Sequence, residues 1–190
     1  MNKQVTVEVS ARHVHLSQND LLSLFGTDYQ LTKKKELSQP GQFACEERVS
    51  IIGPKNTIEK VSILGPIRPF TQVEVSLSDA RILGIEALIR ESGDITGTNG
   101  CVLQGPVGEI VLDAGLIAAK RHLHVSEKGA EELGVKEKEI IGIKLESADR
   151  SCVLYDVVVR VSEKFATAVH IDTDEANAAA FSGGMAEIIK

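Results

Sequence analysis

Four of the five histidines in the chain stand in two His-x-His pairs, His13-Val14-His15 and His122-Leu123-His124. Each pair lies in the same local pattern, Arg12-His13-Val14-His15-Leu16-Ser17 and Arg121-His122-Leu123-His124-Val125-Ser126. Residues i and i+2 of an extended strand share a face, with Cα atoms about 7 Å apart. Each pair therefore offers two imidazoles side by side, and neutral imidazole is the commonest protein ligand for zinc-type metals. A single His-x-His is weak evidence for a metal. Two copies, each preceded by Arg and followed by an apolar residue and Ser, point to metal binding. The fifth histidine, His170, sits in the alternating stretch Ala168-Val169-His170-Ile171-Asp172. An isolated strand histidine is more often structural, but a site with two histidines commonly takes a third ligand. Asp172, Asp174 and Glu175 compete for that place, although acidic residues before an Ala-rich stretch are also explained as helix-capping charge.

Two arginines have the chemistry of anion binders, since the guanidinium fork matches phosphate bidentately. Arg68 follows Gly65-Pro66-Ile67 and precedes Pro69 in a rigid turn, while Arg90 lies in the loop-like Ile89-Arg90-Glu91-Ser92-Gly93-Asp94. Either one alone is better explained by a solvated surface position. Lys55, in Gly53-Pro54-Lys55-Asn56, is a turn residue and no more on local grounds. The chain contains no G-x-x-x-x-G-K-[ST] loop, no G-x-S-x-G elbow and no H-E-x-x-H helix, and Gly183-Gly184 is too sparse for a phosphate loop.

The elements that must hold these residues follow from periodicity and punctuation. Val5-Thr6-Val7-Glu8-Val9-Ser10 alternates as a strand and runs into the first histidine pair. Ser17 is placed as a helix N-cap with Asp20 as its capping-box acid, and Gly26 ends that helix. In the second copy Ser126 is the cap and Leu133-Gly134 the end. A third echo, Val73-Glu74-Val75-Ser76-Leu77-Ser78-Asp79 up to Leu83-Gly84, has the strand and the cap but carries Glu74 where the others carry histidine. Strands are expected at 48–52, 58–64, 101–103, 109–112, 139–145 and 153–161, several of them ended by Gly-Pro turns, and a short capped helix at 172–180. Many short strands with close turn signals point to barrels or sandwiches.

Composition narrows the function classes. With 27 acidic against 21 basic residues and a formal charge of −6, the chain as a whole is not built for nucleic acid. It has no Trp and only 4% aromatics, so stacking platforms for bases are largely missing. Cys45, Cys101 and Cys152 are widely separated and form no C-x-x-C pair, which suits buried hydrophobes in a reducing cytoplasm. Met1-Asn2-Lys3-Gln4 leads directly into the first strand, so no leader is expected, and no apolar run approaches membrane-spanning length.

Taken together, Val9-Ser10-Ala11-Arg12-His13-Val14-His15-Leu16-Ser17, Gly41-Gln42-Phe43-Ala44, Gly65-Pro66-Ile67-Arg68 with Thr71-Gln72-Val73-Glu74, Ser92-Gly93-Asp94, Arg121-His122-Leu123-His124 and His170-Ile171-Asp172-Thr173-Asp174-Glu175-Ala176-Asn177 resemble the PduL-type phosphotransacylases, the phosphate propanoyltransferases. The resemblance runs over nearly the whole chain with the motifs in family order. It implies a mainly β fold of two small β-barrel domains capped by short α-helices, with the active site in the cleft between them. One domain would comprise residues 12–119, and the other residues 1–11 with 120–190. Two zinc ions are implied, one held by His13, His15 and Glu74 and the other by His122, His124 and His170. Arg68 would bind phosphate and act in catalysis, and coenzyme A would touch Val9, Ser10 and Ala11, with Lys55 and Asn177 as further contacts. The implied reaction interconverts a short-chain acyl-CoA plus phosphate with acyl phosphate plus CoA. Members housed in bacterial microcompartments carry an N-terminal amphipathic extension, and only Met1 to Gln4 precede the first strand here. That favours a free cytoplasmic enzyme, or one whose microcompartment targeting lies elsewhere, weakens an assignment to propanediol degradation and leaves acetyl-CoA beside propanoyl-CoA as substrate. A homo-oligomer stays open. Two rival readings are a zinc-dependent hydrolase of thioesters or acyl phosphates, which would use the same ligands with water as nucleophile, and a non-catalytic metal-binding module.

Overall fold

A computed structural model describes residues 3–190 as mainly β, with four short helices. In chain order the elements are β1 (Gln4–Ser10), β2 (His13–His15), α1 (Gln18–Phe25), β3 (Lys33–Glu36), β4 (Phe43–Ile52), β5 (Thr57–Gly65), β6 (Gln72–Glu74), α2 (Leu77–Leu83), β7 (Leu88–Arg90), β8 (Val102–Gln104), β9 (Glu109–Val111), β10 (Leu116–Ala119), β11 (His122–Val125), α3 (Glu127–Leu133), β12 (Ile140–Leu145), β13 (Cys152–Val161), β14 (Ala168–Asp172), α4 (Thr173–Ala178) and β15 (Gly184–Ile189). No helix among the described residues is long and apolar enough to cross a membrane.

The chain divides into two compact units. One unit joins the described residues through Ala11 to Lys120–Lys190, and its strands close into a six-stranded barrel in the order β1-β14-β11-β13-β12-β15. Its core is the apolar half of each alternating strand: Val5 and Val7, Leu123 and Val125, Val157 and Val159, Val169 and Ile171. The intervening residues, His122, His124 and His170 among them, therefore project from the opposite face.

The other unit spans Arg12–Ala119 and is a nine-stranded sheet in the order β7-β10-β6-β2-β5-β4-β8-β9, with β3 paired to β4. Val14, Leu16, Val49, Ile51, Ile63, Val73 and Val75 belong to its core, and His13, His15 and Glu74 again alternate with core positions. Phe43 and Gly65 are register partners, and a Cβ on Gly65 would lie 2.4 Å from the Phe43 ring, so only glycine lets that ring lie flat on β5.

The two units share a plan. In each, the His-x-His strand runs antiparallel to one neighbour (β2 with β6, β11 with β14) and parallel to the other (β2 with β5, β11 with β13). Each of these antiparallel partner strands, β6 and β14, leads directly into a capped helix, α2 and α4. The helix starts follow the residues expected to cap them: the side chains of Ser17, Ser76, Ser126 and Asp172 accept from the N3 amides of Asp20, Asp79, Gly129 and Glu175.

Candidate functional site

The first ligand group is assembled by one short ladder. β2 and β6 pair with His13 opposite Glu74, Val14 opposite Val73 and His15 opposite Gln72. Directly opposed residues of antiparallel strands bring their side chains about 5 Å apart on one face. The register therefore delivers a carboxylate to the imidazole pair. His13 Nε2 lies 3.4 Å from Glu74 Oε2 and His15 Nε2 lies 3.9 Å from Glu74 Oε1. All three side chains are buried. Burial, with His13 and Arg68 nearby, holds the His15 imidazole down to about 3, so it is neutral at physiological pH. Burial works against the ionised form of Glu74, yet the facing His13 and His15, the Ser92 hydroxyl and Arg68 hold its carboxyl down to about 2. The His15 Nδ1–H points at the Leu64 carbonyl 3.2 Å away, which leaves the Nε2 lone pair for a metal.

Glu74 is also oriented from behind. Its Oε1 accepts from Gln72 Nε2 at 2.6 Å and from Ser92 Oγ at 2.7 Å, while Oε2 faces His13. Ser92 in turn accepts from Arg68 Nη1 at 3.2 Å and from Gln72 Nε2 at 3.0 Å. The loop amide of Gly93 donates to Gln72 Oε1 at 2.8 Å and fixes the amide's orientation. Arg68 is thus tied to the ligand carboxylate through one hydroxyl. Ser92 and Gln72 sit within recognisable motifs, but nothing in their residue type or spacing announces this bridging role.

The second group repeats the geometry with histidine in the third place. β11 and β14 pair with His122 opposite His170 and His124 opposite Ala168. The ring centroids are 4.5 Å apart for His122 and His124, 5.2 Å for His122 and His170, and 5.0 Å for His124 and His170. The His122 Nδ1–H meets the Lys120 carbonyl at 2.8 Å, again leaving Nε2 as donor to a metal. Burial, then the neighbouring His122 and His170, pushes the His124 imidazole down to about 2, and its Nδ1 is buried without a hydrogen-bond partner. His170 Nδ1 lies 3.7 Å from Glu8 Oε2, and the two residues are partners on the parallel strands β14 and β1.

In both groups the candidate ligand atoms lie within 4.8 Å of one another, and each set combines two imidazoles with a carboxylate or a third imidazole. That donor chemistry, with Nδ1 of His15 and His122 bound to carbonyls and Nδ1 of His124 orphaned, fits a zinc-type ion in each.

The lowered imidazoles make acid sensitivity measurable. Between the ordinary 6.5 and the depressed values of His15 and His124, the unfolded chain binds protons that the native state refuses. Stability present above pH 6.5 is therefore lost as the pH falls, by up to about 1.4 kcal/mol per pH unit for each histidine. Urea midpoints of metal-stripped protein should fall steadily from pH 7 to pH 5, and His15→Asn should flatten the slope. A flat profile in the parent would show that these imidazoles titrate normally.

The remaining expected site residues divide. Arg68 reaches the first group, whereas Arg90 does not: it closes β7 and lies 3.6 Å from Asp94 across its own loop. Asp172 and Glu175 serve as N-cap and capping-box acid of α4, not as ligands of the second group. Val9 and Ser10 end β1 opposite Ile171 and Asp172, Ala11 is exposed just beyond, and Asn177 is exposed on α4. Lys55 is exposed in its turn, with its aliphatic stem against Gly84. Burial pushes the thiols of Cys45 and Cys101 up to about 11 and about 12, so neither is a thiolate nucleophile near neutral pH.

The chain is similar to known proteins over almost its whole length. A family model described as phosphate propanoyltransferase matches residues 6–182. A phosphate propanoyltransferase of Thermotoga maritima is 53% identical over 180 residues, covering 95% of this chain and 86% of its own. Those of Clostridioides difficile and Listeria monocytogenes are 52% and 51% identical over 187 residues, each covering 98% of this chain, and 89% and 87% of their own lengths. Matched by the family model from residue 6 to residue 182 and about half identical to relatives over almost its whole length, the chain belongs to the phosphate propanoyltransferase family.

Proposed function

We propose that this chain transfers a short acyl group, propanoyl or acetyl, between coenzyme A and phosphate, with one zinc ion held by His13, His15 and Glu74 and a second by His122, His124 and His170. Family membership makes it a phosphate acyltransferase. The observation that carries the finer reading is the bridge from the Arg68 guanidinium through Ser92 to the Glu74 carboxylate, which couples an anion binder to a ligand group.

In the forward reaction a phosphate oxygen attacks the thioester carbonyl carbon, the C–S bond breaks, and CoA leaves as a thiolate. The proton of hydrogen phosphate ends on the CoA thiol. Bound zinc would supply Lewis acidity for the charge that develops on oxygen or sulfur. Arg68 orients phosphate with its fork and offsets its charge, and Ser92 restrains the guanidinium. Val9, Ser10 and Ala11, with Lys55 and Asn177, contact coenzyme A. The buried, protonated Cys45 and Cys101 take no acyl group, which supports direct transfer in a ternary complex.

The test is CoA release from acetyl-, propanoyl- and butanoyl-CoA, with and without phosphate and with chelator. Release should require phosphate, yield acyl phosphate and stop when metal is removed. Release without phosphate would make the protein a thioester hydrolase, and trapping of a stable acyl-enzyme would exclude direct transfer.

A further inference from the structure

Each arginine that precedes a histidine pair is bound to the helix that follows the third-ligand strand. Arg12 donates from Nε to Asp79 Oδ2 at 2.9 Å and from Nη2 to Asp79 Oδ1 at 2.7 Å. Arg121 Nε lies 2.6 Å from Glu175 Oε1, and its Nη1 donates to the Tyr155 carbonyl at 2.9 Å. Both acids stand five positions after the third ligand, Asp79 after Glu74 and Glu175 after His170. Both are also the N3 acid of a capping box, Asp79 with Ser76 and Glu175 with Asp172.

The path closes on itself in each unit. It runs from the arginine to the adjacent histidine, across the ladder to the third ligand, along that strand into the helix, and back through the carboxylate. β2 and β6 have three residues each and β11 has four, so few ladder hydrogen bonds fix their pairing. A slip of one residue would turn Glu74 or His170 to the opposite face. A clip outside the ladder resists that slip.

Ordinary helix capping does not account for the device, because α1 and α3 lack it. Asp20, at N3 of α1, bonds the hydroxyls of Ser17 and Thr71, and N3 of α3 is Gly129, which has no side chain to clip. The N3 acids of the helices that follow β6 and β14 are each paired with an arginine. The pairs also have more weight than exposed ion pairs: the Asp79 and Glu175 side chains are 4% and 16% exposed, and losing the arginine would leave a mostly buried carboxylate uncompensated.

We propose that Arg12–Asp79 and Arg121–Glu175 are positioning pairs, each setting the third ligand opposite its own histidine pair and thereby the metal affinity of its own group. The inference rests on the two-metal reading above, and its test separates the two. His122→Ala isolates the first group and His13→Ala the second, and cobalt(II) and zinc affinities are measured in the full chain by chelator competition. In the His122→Ala background, Arg12→Ala, Arg12→Lys and Asp79→Asn should each weaken metal binding about 10- to 100-fold, the range for residues that orient ligands. The cobalt d–d band of the remaining ion should lose tetrahedral intensity. Arg121→Ala and Glu175→Gln should do the same in the His13→Ala background. In the opposite background each change should leave affinity unaltered. Unchanged affinity and band in folded variants would overturn the inference while leaving the two-metal reading intact. Equal weakening of both groups would overturn it too, as would failure of both Arg12→Lys and Asp79→Asn to fold, since either outcome assigns the pairs to general stability. A parent protein that binds no metal would overturn the two-metal reading itself.

Discussion

Replacing His13 or His122 with alanine is expected to lower phosphate-dependent CoA release by about 10³-fold or more, either change alone sufficing. Each histidine stands at the centre of its group: His13 faces Glu74 across one ladder and His122 faces His170 across the other. Removing it leaves two donors, too few to hold a zinc-type ion against water or chelator. Because both groups serve one turnover in the proposed reaction, loss of one should not leave half the rate. Metal analysis should show one equivalent lost and one retained, and the far-ultraviolet circular dichroism should be unchanged. Two variants that each keep about half of the parent activity would mean that the groups work independently, and the two-zinc mechanism would fall.

Arg68→Ala is expected to lower kcat/KM for phosphate by about 10²- to 10³-fold, the usual cost of removing one aligned charged donor from a reacting anion. Metal content should not change, because Arg68 is not among the candidate ligands of either group. Binding of acyl-CoA should likewise be preserved. Arg68→Lys should recover part of the loss, since the charge returns but the two-pronged geometry does not. Steady-state kinetics with phosphate varied at saturating acyl-CoA distinguishes these outcomes. An Arg68→Ala enzyme with an unaltered KM for phosphate and a lowered affinity for CoA would move the anion site elsewhere.

Much of this arrangement was legible before any fold was known. The alternation of Val5 and Val7, or of Val157 and Val159, marks strands with one buried face, and the Ser-x-x-Asp starts of α1 and α2 mark their N-caps. Other strands are silent. β10 is Leu-Ile-Ala-Ala with its first three residues buried, so it shows no alternation, and β3 is Lys-Lys-Lys-Glu, exposed throughout and held only by pairing with β4. Arg90 looks like an anion binder in a loop, whereas pairing with β10 makes it the end of a strand braced on Asp94.

Ligand chemistry was likewise local: the i, i+2 spacing of His13 with His15 and of His122 with His124 places two imidazoles on one face whatever the fold. The identity of the third ligand was not. Glu74 is some sixty residues from His13, and His170 nearly fifty from His122, and only strand register sets each opposite its partner. Register is a property of two strands together, decided by which faces bury apolar residues and by what pins the ladder from outside. The same holds for Ser92 between Arg68 and Glu74, and for the arginine clips on Asp79 and Glu175. The sequence by itself determined which side chains have the chemistry to bind a metal or phosphate. Tertiary structure alone decided which of them meet, because hydrogen-bonded strand pairing joins residues that no local pattern connects.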